Sequence, residues 1–307
     1  LKEKVKSYFA EKHPEYKPMF MGQGSYSTGT LIRTKDDTCD IDYGIYFFPK
    51  PEETGTTIQK WVWKSVEDIT SEKPQHKERC IRVLYVNDYH IDLPVYYKES
   101  DSNDTEHPLL AVKNQDWSES DPKEFKDWFT NLKDDKGQLV RTVRYLKAWC
   151  DSRSKKMPNG LTMTVLSCNN IVFNDRDDIS FRDTLLSIKT YLNKNWSCEM
   201  PTTPNDDLLE NFKGSPVYFF ESLDSLIDDA NKAIDEEKNQ YKASKLWQKH
   251  LGKYFPDGED KDVDKKEADL KAIAASVLAG NARLDNNGKI QEESGVGHLP
   301  HRNYGGQ

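Results

Sequence analysis

Asp40-Ile41-Asp42-Tyr43-Gly44-Ile45-Tyr46-Phe47-Phe48 opens on two acids and continues in β-branched and aromatic residues. Such a run reads as a strand over Ile41–Phe48. Side chains at i and i+2 of a strand share a face, so Asp40 and Asp42 leave its start together. Adjacent carboxylates repel each other unless a cation lies between them. A second run, His90-Ile91-Asp92-Leu93-Pro94-Val95-Tyr96-Tyr97, sets one acid inside an otherwise apolar strand. A buried carboxylate without a partner is costly, so Asp92 wants one. If the two strands are neighbours, Asp40, Asp42 and Asp92 make an oxygen cage suited to Mg²⁺.

Upstream of these acids, Met21-Gly22-Gln23-Gly24-Ser25-Tyr26-Ser27-Thr28-Gly29-Thr30 is rich in glycine and hydroxyl side chains. A loop of that composition turns amides and hydroxyls toward a triphosphate. Other strands read at Thr30–Arg33 and Cys80–Val86, the latter joined to His90–Tyr97 by a hairpin through Asn87-Asp88. Leu1–Ala10 reads as a helix. From Asp121 onward the pattern is helical. Asp121 caps a helix with Pro122 in its first turn and Glu124 three residues on. Gly137–Cys150 carries an apolar stripe at Leu139, Val140, Val143, Leu146 and Cys150. Pro158-Asn159-Gly160 breaks the chain before helices at Leu161–Leu166 and Phe181–Leu192, and Leu223–Leu251 is mostly helical. Asp257–Asp269 is almost purely charged, with a short helix at Leu270–Leu278 and a polar, glycine-rich end. The division is therefore a mixed α+β core over 1–135, a helical lobe over 136–256 and a tail over 257–307.

Composition narrows the function classes. The chain has 307 residues, 36% hydrophobic and 31% charged, with a net charge of −8. Aromatic residues at 11% exclude a disordered chain. The negative charge argues against stable binding of nucleic acid by global attraction. No apolar run reaches the ~18–20 residues of a membrane span. Cys39, Cys80, Cys150, Cys168 and Cys198 are odd in number and form no CxxC pair, which reads as a reduced, cytoplasmic protein. Arg144 and Lys147 share one helix face. Beside three carboxylates they are candidates to hold phosphate oxygens, Arg144 as a fork and Lys147 as a point charge.

The order Gly24-Ser25, Asp40-x-Asp42, Asp92 resembles the polymerase-β-like nucleotidyltransferases. Asp40-Ile-Asp-Tyr-Gly-Ile-Tyr46 and His90-Ile-Asp-Leu-Pro-Val-Tyr96 resemble the bacterial cGAS/DncV-like nucleotidyltransferases of CBASS antiphage systems, of the cyclic GMP–AMP synthase type. Trp117 through Pro122 with Trp128, Arg144-Tyr-Leu-Lys147-Ala-Trp149, and Ala243-Ser-Lys-Leu-Trp247 through Phe255-Pro256 are similar to further segments of that family. The resemblance implies a polymerase-β-like fold and catalysis by two Mg²⁺ ions, with Mn²⁺ as a substitute, on Asp40, Asp42 and Asp92. It implies nucleotide contacts at Gln23, Gly24, Ser25, Arg144, Lys147 and Asn159. It implies NTP substrates, including ATP and GTP, and a cyclic di- or trinucleotide product. The end His301–Gln307 resembles C-termini that a ubiquitin-transfer-like ligase attaches to targets. Three other readings stay open from the residues: a nucleotidyltransferase that modifies RNA or protein, a catalytically silent nucleotide sensor, and a scaffold whose tail recruits a partner.

Overall fold

The computed structural model describes residues 1–85, 89–100, 106–287, 289–291 and 295–297. It divides into two compact units, one of residues 1–228 with 250–254, the other of 229–249 with 255–307. The first unit begins with α1 (Lys2–Lys12), β1 (Met19–Gln23), α2 (Gly24–Thr28), β2 (Asp40–Phe47) and α3 (Gly55–Ser65). It continues with β3 (Gln75–His76), β4 (Ile81–Tyr85), β5 (Tyr89–Leu93), β6 (Val95–Tyr97), β7 (Leu109–Leu110) and β8 (Ser118–Glu119). Four helices follow: α4 (Pro122–Leu132), α5 (Gln138–Ser152), α6 (Gly160–Asn170) and α7 (Asp177–Lys194). The next helix, α8 (Pro216–Asn231), runs past the end of the unit.

The eight strands form one mixed sheet, ordered β3-β4-β5-β2-β6-β7-β8, with β1 pairing β2. The fold is α+β, as the sequence implied. Strand β2 is its axis. It pairs antiparallel with β1 and parallel with both β5 and β6. The single strand expected over His90–Tyr97 is interrupted at Pro94, which has no amide to donate; instead its carbonyl accepts from Ile45 N at 2.9 Å.

Alternation along β2 divides the labour of the sheet. Ile45 and Phe47 enter a buried cluster with Ile81, Val83, Leu93 and Val95. α1 covers that face with Val5 and Phe9, and α3 with Ile58 and Val62. The other face carries Asp40, Asp42, Gly44 and Tyr46. Thr54 caps α3, its hydroxyl accepting from Thr57 N at 3.2 Å. Asp121 caps α4 as the sequence predicted, accepting from Glu124 N at 2.9 Å. In α5 the expected stripe is buried at Leu139, Val143 and Leu146 but only half-buried at Val140 and Cys150; Trp149, outside that stripe, is buried and packs edge-on against Phe219.

Further expectations change. The loop expected over Met21–Thr30 is instead the end of β1 followed by the short helix α2. Thr30–Arg33 is not a strand. Gly29, left-handed at φ 78°, ends α2, and the Thr30 carbonyl and hydroxyl serve the Lys147 ammonium instead of a ladder. The helix over Leu223–Leu251 is two helices, α8 and α9 (Gln240–Leu251), separated by a π-helical turn at Lys232–Glu236. Finally, α10 begins at Val263, not Leu270, because Asp262 caps it by accepting from Lys265 N at 2.9 Å; it ends at Leu278.

In the second unit Trp247 stacks on Phe255, and Gln248 Nε2 donates to the Phe255 carbonyl at 2.9 Å. Beyond α10 a small sheet places β9 (Arg283–Leu284) between β10 (Ile290–Gln291) and β11 (Val296–Gly297). The predicted hairpin turn at Asn87-Asp88 and the end His301–Gln307 lie outside the described residues, although β4 and β5 do pair antiparallel. Among the described residues all five cysteines are free thiols, and no helix is long and apolar enough to cross a membrane.

Because the acids ride on the strand whose other face fills the core, weakening that core should loosen the sheet's axis. Ile45 is wholly buried. Ile45→Ala is expected to cost about 2–5 kcal/mol, read as a lower urea midpoint with an unchanged slope.

Candidate active site

The acids are brought together by register. Asp42 pairs with Asp92 across β2 and β5, and Asp40 pairs with His90. Asp42 also pairs with Gln23 across β1, and Asp92 with Arg82 across β4. Laterally aligned residues of a sheet share a face, so Arg82, Asp92, Asp42 and Gln23 form one row across four strands. Asp40 sits one pleat along from Asp42, mostly exposed.

Arg82 is the residue sequence reasoning missed. Its Nε and Nη2 donate to the two oxygens of Asp92, each at 2.8 Å, and Nη2 lies 3.6 Å from Asp40 Oδ2. This fork raises the Arg82 pKa further, the Asp92 bond being the largest cause. His90 Nδ1 is 3.1 Å from Asp40 Oδ1. The sequence marks Arg82 only as a single cation in the otherwise apolar strand Ile81–Tyr85; its partner follows from the pairing of β4 with β5.

Asp42 carries the strain of the arrangement. Burial first, then the charges of Asp92 and Asp40, push its carboxyl from 3.8 up to about 7, against the pull of Arg82 and Lys147. A carboxylate in that state is short of positive charge. The donors are hard oxygens, and the neighbouring Cys80 thiol, pushed up to about 12 mainly by burial, stays protonated. This donor chemistry fits a hard divalent ion such as Mg²⁺. The three carboxylates are not drawn tight, however. Among the described residues, the one group of His, Cys, Asp or Glu side chains with ligand-type atoms all within 4.8 Å of one another is His107, Asp121 and Glu124, a set distinct from the three acids.

Gly24 fits its place for a reason of space. Its φ is +64°, and a Cβ there would stand 1.9 Å from Asp42 Oδ2. The backbone of the Gly24-Ser25 turn therefore rests directly on the acid. Gln23 is buried beneath. Its amide donates to the Tyr96 hydroxyl at 3.1 Å, and its carbonyl accepts from the Tyr46 hydroxyl at 3.3 Å. Tyr46 and Tyr96 stack at 4.7 Å. Gly44 leaves room for this, since a Cβ there would meet Gln23 Oε1 at 2.5 Å.

Lys147 and Arg144, paired in the sequence reading, are separated by the structure. Lys147 lines the cavity, its Nζ donating to Thr30 Oγ1 at 3.0 Å. Burial lowers its pKa to about 8, while Asp42 opposes the fall. Arg144 is exposed on α5 and is not part of the cavity wall. Asn159 lines the cavity, but its Oδ1 is used as the cap of α6, accepting from Thr162 N at 2.9 Å. The cavity itself holds about 1200 Å³ and is bounded by Gly24, Ser25, Asp40, Asp42, Asp92 and Lys147, among others. That exceeds the ~300–1,000 Å³ of a usual small-molecule pocket.

With this geometry in view, residues 18–96 match the family described as "Cyclic GMP-AMP synthase DncV-like, nucleotidyltransferase domain". The chain is 30% identical over 258 residues to a cyclic GMP-AMP synthase of Escherichia albertii, covering 77% of this chain and 55% of that protein. It is 21% identical over 266 residues to a c-di-GMP synthase of Roseivirga ehrenbergii, covering 70% of this chain and 69% of that protein. The chain spans about half the length of the Escherichia albertii relative. The crystal structure of Vibrio cholerae DncV cyclic AMP-GMP synthase matches with a TM-score of 0.68 at 23% identity, covering 79% of this chain and 71% of that one. The same enzyme with the linear intermediate 5′ pppA(3′,5′)pG matches at 0.67 and 22% identity, over the same shares of the two chains. The fold is thus that of DncV, and residues 18–96 form a DncV-like nucleotidyltransferase domain, the part in which the chain matches the bacterial cGAS/DncV-like family.

The state of Asp42 gives a direct test. Its raised pKa means that the folded protein takes up a proton which the unfolded chain does not bind between about pH 4 and 7. The penalty is absent below that window, grows through it and is level above pH 7. Asp42→Asn removes it. The gain in thermal midpoint over wild type, measured in chelator, is expected to grow from pH 5 to pH 7 and then stay constant.

Proposed function

We propose that this chain, the bearer of a DncV-like nucleotidyltransferase domain, joins nucleoside triphosphates into a cyclic di- or trinucleotide and releases pyrophosphate. The observation that carries the reading is the register of Asp42 on Asp92, with Asp40 one pleat away, beneath the Gly24-Ser25 turn and beside a cavity of about 1200 Å³. A volume of that order accommodates more than one nucleotide, as a linear intermediate requires. ATP and GTP are the proposed substrates.

Asp40, Asp42 and Asp92 would hold the two divalent ions, Mg²⁺ in our reading. Bound there, the ions would neutralise the donor triphosphate and lower the pKa of the attacking ribose hydroxyl. The chain's own residues do the rest. Gly24, having no Cβ, lets the backbone of its turn approach a phosphate while lying on Asp42. Ser25 lines the same wall. The Lys147 ammonium, held by Thr30, offsets charge on the departing pyrophosphate. Gln23 acts from below, its amide fixing the turn against Tyr46 and Tyr96. Asn159 lines the cavity at the start of α6, and Arg144 contributes charge from outside it. In this reading 1–135 is the catalytic core, 136–256 the helical lobe and 257–307 a tail. A cytoplasmic, antiphage role follows from the resemblance of the motifs, as does attachment of the tail by a ubiquitin-transfer-like ligase.

The test is incubation with the four NTPs and Mg²⁺, phosphatase treatment, and mass spectrometry of the resistant product. A cyclic oligonucleotide is expected from wild type and none from Asp40→Asn with Asp42→Asn. A linear product, or labelling of added RNA or protein, would replace the reading. Full activity of the double variant would remove the acids from the chemistry.

Lys147 yields a separate expectation. As pH rises through about 8 its positive charge fades, so the apparent KM for NTP should increase between pH 7.5 and 9. Lys147→Arg, which stays charged, should flatten that rise; steady-state kinetics across the range measure it. Lys147→Ala should lose roughly tenfold or more in kcat/KM at pH 7.5, for a charge-assisted contact of ~1.5–3 kcal/mol.

A further inference from the structure

The Arg82 fork is not accounted for by the chemistry above. The guanidinium donates to both oxygens of Asp92 and approaches Asp40, but it is not part of the cavity wall where Asp40, Asp42 and Asp92 all appear. It therefore meets the acids from the β4 side of the sheet. The Arg82 side chain is 25% exposed and that of Asp92 13%, so the pair is only partly screened by water. Bidentate Arg–carboxylate pairs of this kind are among the stronger and more directional ion pairs. The neutral Cys80 thiol and the like-charged Asp42 also interact with Asp92. Arg82 is thus the cation forked onto Asp92, while Lys147 acts on Asp42.

We propose that Arg82 is the internal counter-ion of the metal-free site and competes with the divalent ion for Asp92. The inference rests on the reading of Asp40, Asp42 and Asp92 as the metal-binding carboxylates. A cation at Asp92 would sit against a guanidinium within hydrogen-bond distance of both of its oxygens. The two positive charges disfavour each other at such separations even when partly screened. Metal occupancy at Asp92 therefore requires the fork to loosen or the local charge to be rebalanced. A triphosphate in the cavity supplies that balance by adding anionic charge. The consequence is ordered loading: the site binds a divalent ion weakly by itself and much more strongly once nucleotide is present. Arg82 is a positioning residue in this scheme, acting on the metal through Asp92.

The experiment reads metal binding without turnover, using Mn²⁺ as the probe and the loss of its free electron paramagnetic resonance signal as the measure. Titrations are made with the full chain, with and without a non-hydrolysable ATP analogue. Wild type is expected to bind Mn²⁺ weakly alone and at least tenfold more tightly with the analogue. Arg82→Gln is expected to bind Mn²⁺ about tenfold more tightly than wild type without the analogue, and to lose most of the analogue's enhancement. Its thermal midpoint in chelator should fall, since Asp92 is left unpaired, and Mn²⁺ should raise it by more than it raises wild type. Should Arg82→Gln fail to fold, Arg82→Lys, which keeps a charge but not the fork, decides the matter by a smaller gain in Mn²⁺ affinity. Unchanged or weaker Mn²⁺ binding in the folded variant overturns the proposal. Asp40→Asn with Asp42→Asn separates the two readings. If that double variant binds Mn²⁺ as wild type does, the metal-site assignment itself fails. If it loses Mn²⁺ while Arg82→Gln is indifferent, only the counter-ion proposal fails.

Discussion

The constraint on which the rest depends is the crowding of negative charge at one end of β2. Three carboxylates meet where two parallel strands run side by side, because Asp42 is in register with Asp92 and Asp40 with His90. The burial and mutual repulsion that hold the Asp42 carboxyl near neutrality are a cost of the folded state. Two cations answer it: Arg82 on β4 pairs with Asp92, and Lys147 on α5, in the cavity wall, acts on Asp42. Neither answer is complete, since the Asp42 carboxyl is still pushed up to about 7, and the proposed cation site draws on that shortfall of positive charge. A fully neutralised cluster would have no use for a metal.

Such a cluster is tolerable because the same strands anchor themselves on their other face. Ile45, Phe47, Leu93 and Val95 are buried against α1 and α3. The alternation of β2 therefore separates two duties, cohesion on one side and charge on the other. The opposite end of the polar face is closed by Tyr46 and Tyr96, stacked and hydrogen-bonded to Gln23. That closure fixes the strand end from which Gly24 turns, and so ties the position of the turn to the acids it rests on.

What the sequence made legible follows from range. The same-face placement of Asp40 and Asp42, the cap at Asp121 and the stripe of α5 are local consequences of periodicity and hydrogen bonding. The mixed sheet and the neighbouring of the two acid-bearing strands came from the order of motifs and their resemblance to a family. Arg82 was not legible, because its meaning lies in register: only the antiparallel pairing of β4 with β5 sets it opposite Asp92. The Thr30–Arg33 segment misled for a related reason. Its residues favour a strand locally, but Lys147, 117 residues away in the chain, takes up the Thr30 carbonyl and hydroxyl. Arg144 and Lys147 share a helix face in sequence, yet burial distinguishes them, since a helix surface three residues wide can straddle the edge of a cavity.

The two cations near the acids differ in kind, and the difference suits their places. Lys147 is a point charge whose burial has brought its pKa to about 8, so its charge is conditional and strengthens when an anion arrives. Arg82 cannot lose its proton at any working pH, and its planar fork matches both oxygens of one carboxylate. A residue that is always charged can hold an empty site together; a residue whose charge responds to its surroundings can register that the site has been filled. Exchanging the two would leave the empty acids dependent on a titrating amine and the cavity lined by a permanent charge with a geometry made for carboxylates. The arrangement found, with the fixed cation on the sheet and the responsive one on the cavity wall, is therefore consistent with a site that stays folded without its ligands and changes its electrostatic balance when they bind.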